Sequence, residues 1–121
     1  MTSRSQLNGY ELSLLRKIVT AIAQGDFTAL LGMRNVDCDG SSILSIASTM
    51  DEYGATAFAL PNENFADRID VGEFMDGRGL FVEVELLTAN GMVDPADYIV
   101  LVFEVLRDGT ESRVGVHYAY Y

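Results

Sequence analysis

A chain of 121 residues with 49% apolar side chains fits one domain, residues 1–121, around one core; 11 glycines and 2 prolines are too few for a linker or low-complexity tract. Eighteen carboxylates against eight basic side chains give a net charge of −10, which disfavours nucleic acid and anionic membrane surfaces as partners and favours a basic protein. A lone cysteine, Cys38, excludes an internal disulfide, and the charges of Glu11, Arg16 and Lys17 interrupt any leader or membrane-spanning run, so a cytoplasmic location is expected.

Asn8 followed by Glu11 has the spacing of a helix capping box. Leu12, Leu15, Ile18, Val19 and Ile22 then form one helical stripe that Gly25 stops, predicting a helix over 9–24. Asp26 is positioned to cap a short second helix with Phe27, Leu30 and Leu31 on one face, ended by Gly32. Residues 34–41 read as a loop, with Ser41 or Ser42 as the cap of a third helix whose stripe is Ile43, Ile46, Ala47, Met50 and Tyr53, closed by Gly54. Residues 55–65 read as extended, with Pro61 barring a regular helix or central strand.

After Ala66 the period becomes two. Ile69 and Val71 alternate with polar residues, as do Leu80, Val82, Val84 and Leu86 after the turn signal Asp76-Gly77. A loop with Asn90-Gly91 and Asp94-Pro95 leads to the nearly all-apolar run 98–106, the pattern of an interior strand. Asp108-Gly109 is a second turn signal before a last strand over 112–121, with Val114, Val116, Tyr118 and Tyr120 in phase. The fold class expected is α+β, with three N-terminal helices on one face of a four-stranded antiparallel meander.

Two-residue turns fix register. A turn at Asp76-Gly77 sets Val71 opposite Val82 and Ile69 opposite Val84; a turn at Asp108-Gly109 sets Val105 opposite Ser112, Phe103 opposite Val114, Leu101 opposite Val116 and Ile99 opposite Tyr118. The apolar pairs then share one face. The other face carries Arg68, Asp70, Phe81, Glu83, Glu85, Leu87, Tyr98, Val100, Val102, Glu104, Leu106, Arg113, His117 and Tyr121. Arg68 is expected to pair with Glu85 and Glu104 with Arg113, while Asp70 faces Glu83 as a like-charge pair. So apolar a sheet face needs cover. Two covers are open: a second protein or second copy, or one of the loops 55–65 and 88–97.

Catalytic apparatus is sparse. No Gly-x-Ser-x-Gly elbow occurs, Cys38 and His117 lie in different halves, and His117, opposite Val100, reads as a structural or interface residue rather than a base. Asp37-Cys38-Asp39-Gly40 resembles the start of a calcium-binding EF-hand loop, but Ser42 and Ser48 stand where that loop needs Gly and Glu. No metal, cofactor or catalytic residue is expected. Carboxylates on a solvated sheet face are the ordinary reading of Asp70 and Glu83.

The stretches Gln24-Gly25-Asp26-Phe27, Asp51-Glu52-Tyr53-Gly54-Ala55-Thr56 running into Leu60-Pro61, and Val82-Glu83-Val84-Glu85-Leu86-Leu87-Thr88 resemble a family of small uncharacterised bacterial single domains. The resemblance spans from about residue 14 to residue 121, with Tyr-Gly-Ala-Thr its most specific part, and departs in having no tryptophan. It implies a single domain and carries over no catalytic residues. The order of helices before a curved sheet is also similar to NTF2-like and cystatin-like folds.

The function expected is protein binding. Small, acidic single domains resemble bacterial immunity proteins, which neutralise a basic toxin such as a nuclease. Asp70, Glu83, Glu85 and Glu104 would supply charge, Phe81, Tyr98 and Tyr121 would serve as anchors, and His117 would join the same interface. A homodimer through this face is compatible with that reading. The alternative is a small-molecule binder or enzyme of NTF2-like shape, with a pocket between the helices and Ile69, Val84, Leu101 and Tyr118.

Overall fold

The computed structural model describes residues 7–54, 57–73, 79–88, 98–108 (without the side chain of Asp108) and 111–121. The turn signals at 76–77, 90–91 and 94–95, and Ala55-Thr56, lie outside the described residues. Helix α1 runs Gly9–Ala23 and opens with the capping box expected: the Glu11 amide donates to Asn8 Oδ1 at 2.8 Å and the Asn8 amide donates to Glu11 Oε1 at 3.0 Å. A four-residue helix α2, Thr28–Leu31, follows. Its N-cap is Phe27, with no side-chain cap, rather than the expected Asp26, although the Asp26 carbonyl accepts from the Ala29 amide and its carboxylate from the Thr28 hydroxyl.

Strand β1, Val36–Asp37, falls inside the segment expected to be a loop. Asn35 precedes it in the left-handed region at φ 63°, a conformation asparagine tolerates, and its carbonyl accepts from the Val114 amide at 2.9 Å. Helix α3, Gly40–Tyr53, is capped by Asp39 rather than by Ser41 or Ser42: the Ser42 amide donates to Asp39 Oδ1 at 2.8 Å. Gly54, at φ 81°, closes it in the left-handed form that favours glycine. A 3₁₀ turn at Phe65–Arg68 leads into β2, Ile69–Glu73. Then come β3 (Gly79–Leu87), β4 (Tyr98–Asp108) and β5 (Glu111–Tyr120).

The five strands make one sheet in the order β1-β5-β4-β3-β2, with β1 parallel to β5 and every other pair antiparallel. This corrects the four-stranded antiparallel meander, and with it the NTF2-like and cystatin-like comparison. Val36 and Asp37 were too short a run to announce a strand, and only tertiary pairing with Val114 and Gly115 makes them one. The helical layer differs as well. Helices α1 and α3 contact the sheet, while α2 packs against α1 and β1.

The β2–β3 register is the one a turn at residues 76–77 predicts, with Val71 opposite Val82 and Ile69 opposite Val84. The β4–β5 register is not. Val105 pairs with Val114 and Phe103 with Val116, a slip of two residues, because Asp108 pairs with Glu111 and belongs to the ladder rather than the turn. Next, Phe103 pairs with Val116 but Val102 pairs with Tyr118, which leaves His117 as the extra residue of a β-bulge. The bulge shifts the alternation by one. Val114, Val116 and Ala119 join the core, and Tyr118 and Tyr120 turn to the opposite face.

The core between helices and sheet contains Leu15, Ile18, Ile22, Leu30, Ile46, Val84, Leu101 and Phe103, all inaccessible to solvent. The 3₁₀ turn is tied to α1 through Arg16, whose guanidinium lies 5.0 Å from the Phe65 ring centroid and donates to the Asn62 carbonyl.

Among the described residues one charged group is wholly buried. The Glu11 carboxylate accepts from Arg107 Nε at 2.8 Å, Arg107 Nη2 at 2.7 Å and Ser112 Oγ at 2.6 Å. Burial pushes its pKa up, but the hydrogen bonds from Arg107, Ser112 and the Asn8 backbone outweigh burial and hold it below the usual glutamate value. A carboxyl group depressed in this way stabilises the fold above its unfolded pKa, and that contribution is lost as pH falls through the folded value. Removing one partner of a buried pair costs about 3–5 kcal/mol, and the partial exposure of Arg107 favours the lower end. Urea denaturation of Glu11→Gln should therefore give a loss of about 3 kcal/mol at neutral pH. The loss should shrink below about pH 4.3, where wild type also surrenders the contribution.

Candidate functional site

Beyond the sheet, on the side away from α1 and α3, the even-numbered residues of β4 and the odd-numbered residues of β3 form the outer face. Asp70 stands opposite Glu83, and Arg68 Nη1 lies 3.4 Å from Glu85 Oε1, both as expected. The expected Glu104–Arg113 pair does not form. The slipped register sets Glu104 opposite Gly115, and Arg113 forms a bidentate ion pair with Asp37 of β1 instead. Glu104 is half-buried and has His117 Nε2 at 3.6 Å from its Oε2. His117 therefore sits at the bulge beside Glu104, and Tyr120, not His117, pairs with Val100.

The aromatic content of the face also changes. Tyr121 leaves it: past the bulge its ring packs edge-on against Tyr53 of α3, 5.2 Å between centroids. Tyr118 and Tyr120 enter it, 6.3 Å apart and each a little under half exposed. Only the bulge brings them there, and period-two reading of β5 carries no sign of it. Val102, though it points away from the main core, is 1% exposed beneath this layer. Phe81 stays exposed at the other end of the face and pairs with Glu104.

A hollow of about 340 Å³ opens on this face, lined by Asp67, Arg68, Asp70, Glu83, Glu85, Tyr98, Val100 and Tyr120. Four of those side chains are carboxylates and one is a guanidinium. Tyr120 reaches across β4 to donate its hydroxyl to Glu83 Oε2 at 2.5 Å. That hydrogen bond, with burial and the Glu83 charge, pushes the Tyr120 pKa up to about 12. Glu83 is thus held in place as an oriented acceptor, and its neighbour Tyr98 adds an aromatic wall. The arrangement suits a cationic group, which finds charge from the carboxylates and a π surface from the tyrosines.

The described part of segment 55–65 does not cover this face. Phe58 bridges to Thr88 and the Ala59 amide donates to the Leu87 carbonyl, so it runs along the sheet edge beside the end of β3. Most of 88–97 lies outside the described residues. Of the residues expected to line an inner pocket, Ile69, Val84 and Leu101 are cross-strand neighbours packed into the core, and Tyr118 is across the sheet.

Elsewhere, Asp37 is bound to Arg113 and Asp39 to the first turn of α3. Among the described residues no group of three or more His, Cys, Asp or Glu side chains is placed to hold a metal ion. Burial and then the Asp39 charge push the Cys38 thiol up, away from the reactive thiolate. Among the described residues no helix is long and apolar enough to cross a membrane.

The family profile "Domain of unknown function (DUF7668)" matches residues 19–120. The chain belongs to this family. No curated protein and no solved structure matches it. The DUF7668 match begins inside α1, yet Glu11, Leu14, Leu15 and Ile18 ahead of it are buried. The DUF7668 fold of this chain thus extends physically at least to Leu7, which is itself in the core.

Two outcomes follow. A chain beginning at Val19 should fail to give a cooperative unfolding transition, as read by circular dichroism on heating. In Glu83→Gln the Tyr120 hydroxyl should ionise closer to the ordinary tyrosine value of about 10, as followed by the pH dependence of its ring carbon resonances.

Proposed function

We propose that this DUF7668 protein is a protein-binding module that docks a basic protein on its outer sheet face, acting as an immunity-type inhibitor of a basic toxin such as a nuclease. The observation that carries the reading is the hollow in which Asp67, Asp70, Glu83 and Glu85 are interleaved with Tyr98 and Tyr120. Charge alone would be weak support, since acidity also serves solubility. The combination is more specific: carboxylates for steering, and half-exposed aromatic side chains for the contact itself.

Glu83 is the centre of this reading. Its geometry is set by Tyr120, so an arriving lysine or arginine meets an acceptor already oriented, with less ordering left to do. Phe81, Tyr98, Tyr118 and Tyr120 are the anchors, and Tyr121 is released from that role. Asp70, Glu85, Glu104 and His117 form the surround. A net charge of −10 raises the encounter rate with a basic partner by roughly 10- to 1000-fold at low salt.

The test begins with affinity capture from native extract at low and high salt, and identification of the protein retained. Binding of that purified protein is then measured against Glu83→Lys/Glu85→Lys. The double variant should bind at least about tenfold more weakly at low salt and show a shallower dependence of affinity on salt. Unchanged affinity and salt slope would remove the outer face from the interaction.

A further inference from the structure

The sheet ends at β2, and the backbone of that strand shows which of its hydrogen-bonding groups are in use. In an antiparallel ladder successive residues turn their N–H and C=O to alternate sides. Ala59, beside Arg68 at the start of β2, donates its amide to the Leu87 carbonyl, so the odd-numbered residues of β3 face β2. Phe81 and Glu83 therefore exchange bonds with Gly72 and Asp70, while Ile69, Val71 and Glu73 turn away from β3. Ile69 agrees independently, because its amide donates back to the Ala66 carbonyl. Val71 and Glu73 have no such substitute. Among the described residues no backbone group bonds to the N–H or C=O of either.

We propose that this edge takes up an extended basic segment of another protein as an added strand, antiparallel to β2 and bonded to Val71 and Glu73. In strand addition main-chain bonds hold the segment and alternate side chains give specificity. Cross-strand neighbours share a face. Side chains level with Ile69 and Val71 continue the apolar side of β2, which belongs to the core. Those level with Asp70 and Gly72 lie on the outer face, beside the hollow of Asp67, Asp70, Glu83 and Glu85. Gly72 has no side chain there, so a long cationic side chain can cross it towards the ring of Phe81, its pair on β3. The segment that fits alternates basic with apolar residues.

Charge selects this occupant over a second copy. Like charges on an open edge guard it against self-pairing. Asp70 and Glu73 are exposed on β2, and no Lys, Arg or Pro lies between Ile69 and Glu73. Two β2 edges brought together would set those carboxylates alongside one another between chains of net charge −10. A basic strand meets opposite charge instead. The charge assigned to the occupant rests on the proposed function; the open edge does not.

The probe is an acetylated and amidated octapeptide of alternating lysine and valine, titrated into the ¹⁵N-labelled full chain and followed by NMR. A five-residue edge binds weakly, so a Kd on the order of 0.1 to 1 mM is expected, rising with salt. The Val71 and Glu73 amide protons should shift downfield and lose exchange rate in proportion to the bound fraction. Antiparallel addition points the valine amides at β2, so N-methylating the valines should abolish binding and N-methylating the lysines should not. Glu73→Pro removes an outward N–H from an edge position that tolerates proline. It should bind about fivefold more weakly than Glu73→Gln, which has the same charge. No binding at about 3 mM peptide overturns the proposal. So does binding indifferent to which residues are N-methylated. Shifts confined to the outer face, with Val71 and Glu73 unchanged, overturn it while leaving the docking of a basic protein intact. A threonine–valine peptide that binds as tightly overturns the basic occupant, and a wild-type dimer joined through the Val71 and Glu73 amides overturns it in favour of a second copy.

Discussion

One inserted residue governs what this sheet can offer. Before His117, β5 sends Val114 and Val116 into the core; after it, Ala119 does so and Tyr118 and Tyr120 face away. Without the bulge, strict alternation would direct both tyrosines towards α3 and leave the outer face with carboxylates and few aromatics. The core there is built by Phe103, Leu101 and Ile46, all inaccessible to solvent, and adding large rings to a packed core is destabilising. The bulge therefore resolves a packing problem and furnishes the outer face in one step. It also places His117 beside Glu104, at the point where the ladder is interrupted.

The second constraint is Glu11. A carboxylate with no solvent access is destabilising unless its oxygens are occupied, and here the Asn8 amide, Arg107 and Ser112 occupy them. Those partners come from the start of α1 and from both strands of the β4–β5 hairpin. The pairing fixes where α1 crosses the sheet, and so which side of the sheet is covered. The outer face is outer because α1 is anchored on the other side.

Much of this was legible in the sequence, and the failures share a cause. The capping box at Asn8 and Glu11, the stop at Gly54, the presence of the three long strands and the β2–β3 register all rest on local chemistry, which a sequence displays directly. The burial of Glu11 does not, because its partners lie 96 and 101 residues away. Strand β1 is two residues long and exists only through Val114 and Gly115. The β4–β5 error began with Asp108-Gly109, a good turn signal whose aspartate in fact pairs with Glu111. A slip of two preserves facing, so Phe103 and Val105 were still assigned correctly to the core; the bulge changes facing by one, so Tyr118, Tyr120 and Tyr121 were not. Of the candidate site, Asp70, Glu83 and Glu85 were readable because they lie on β2 and β3, where alternation is unbroken, whereas Asp67 in the 3₁₀ turn and the tyrosines of β5 were not.

The uneven distribution of charge is the remaining clue to how the molecule meets others. Repulsion among 18 carboxylates and only eight basic groups opposes compactness, yet the charges are not spread to minimise it. Asp70 and Glu83 are paired across strands, where like charges oppose each other directly, while α3 is uncharged from Gly40 to Met50. A surface selected only for solubility has no reason to concentrate acid on the sheet and clear it from the helix. Concentration raises the local potential and orients an approaching cation. The acidic face and the uncharged helix lie on opposite sides of one sheet.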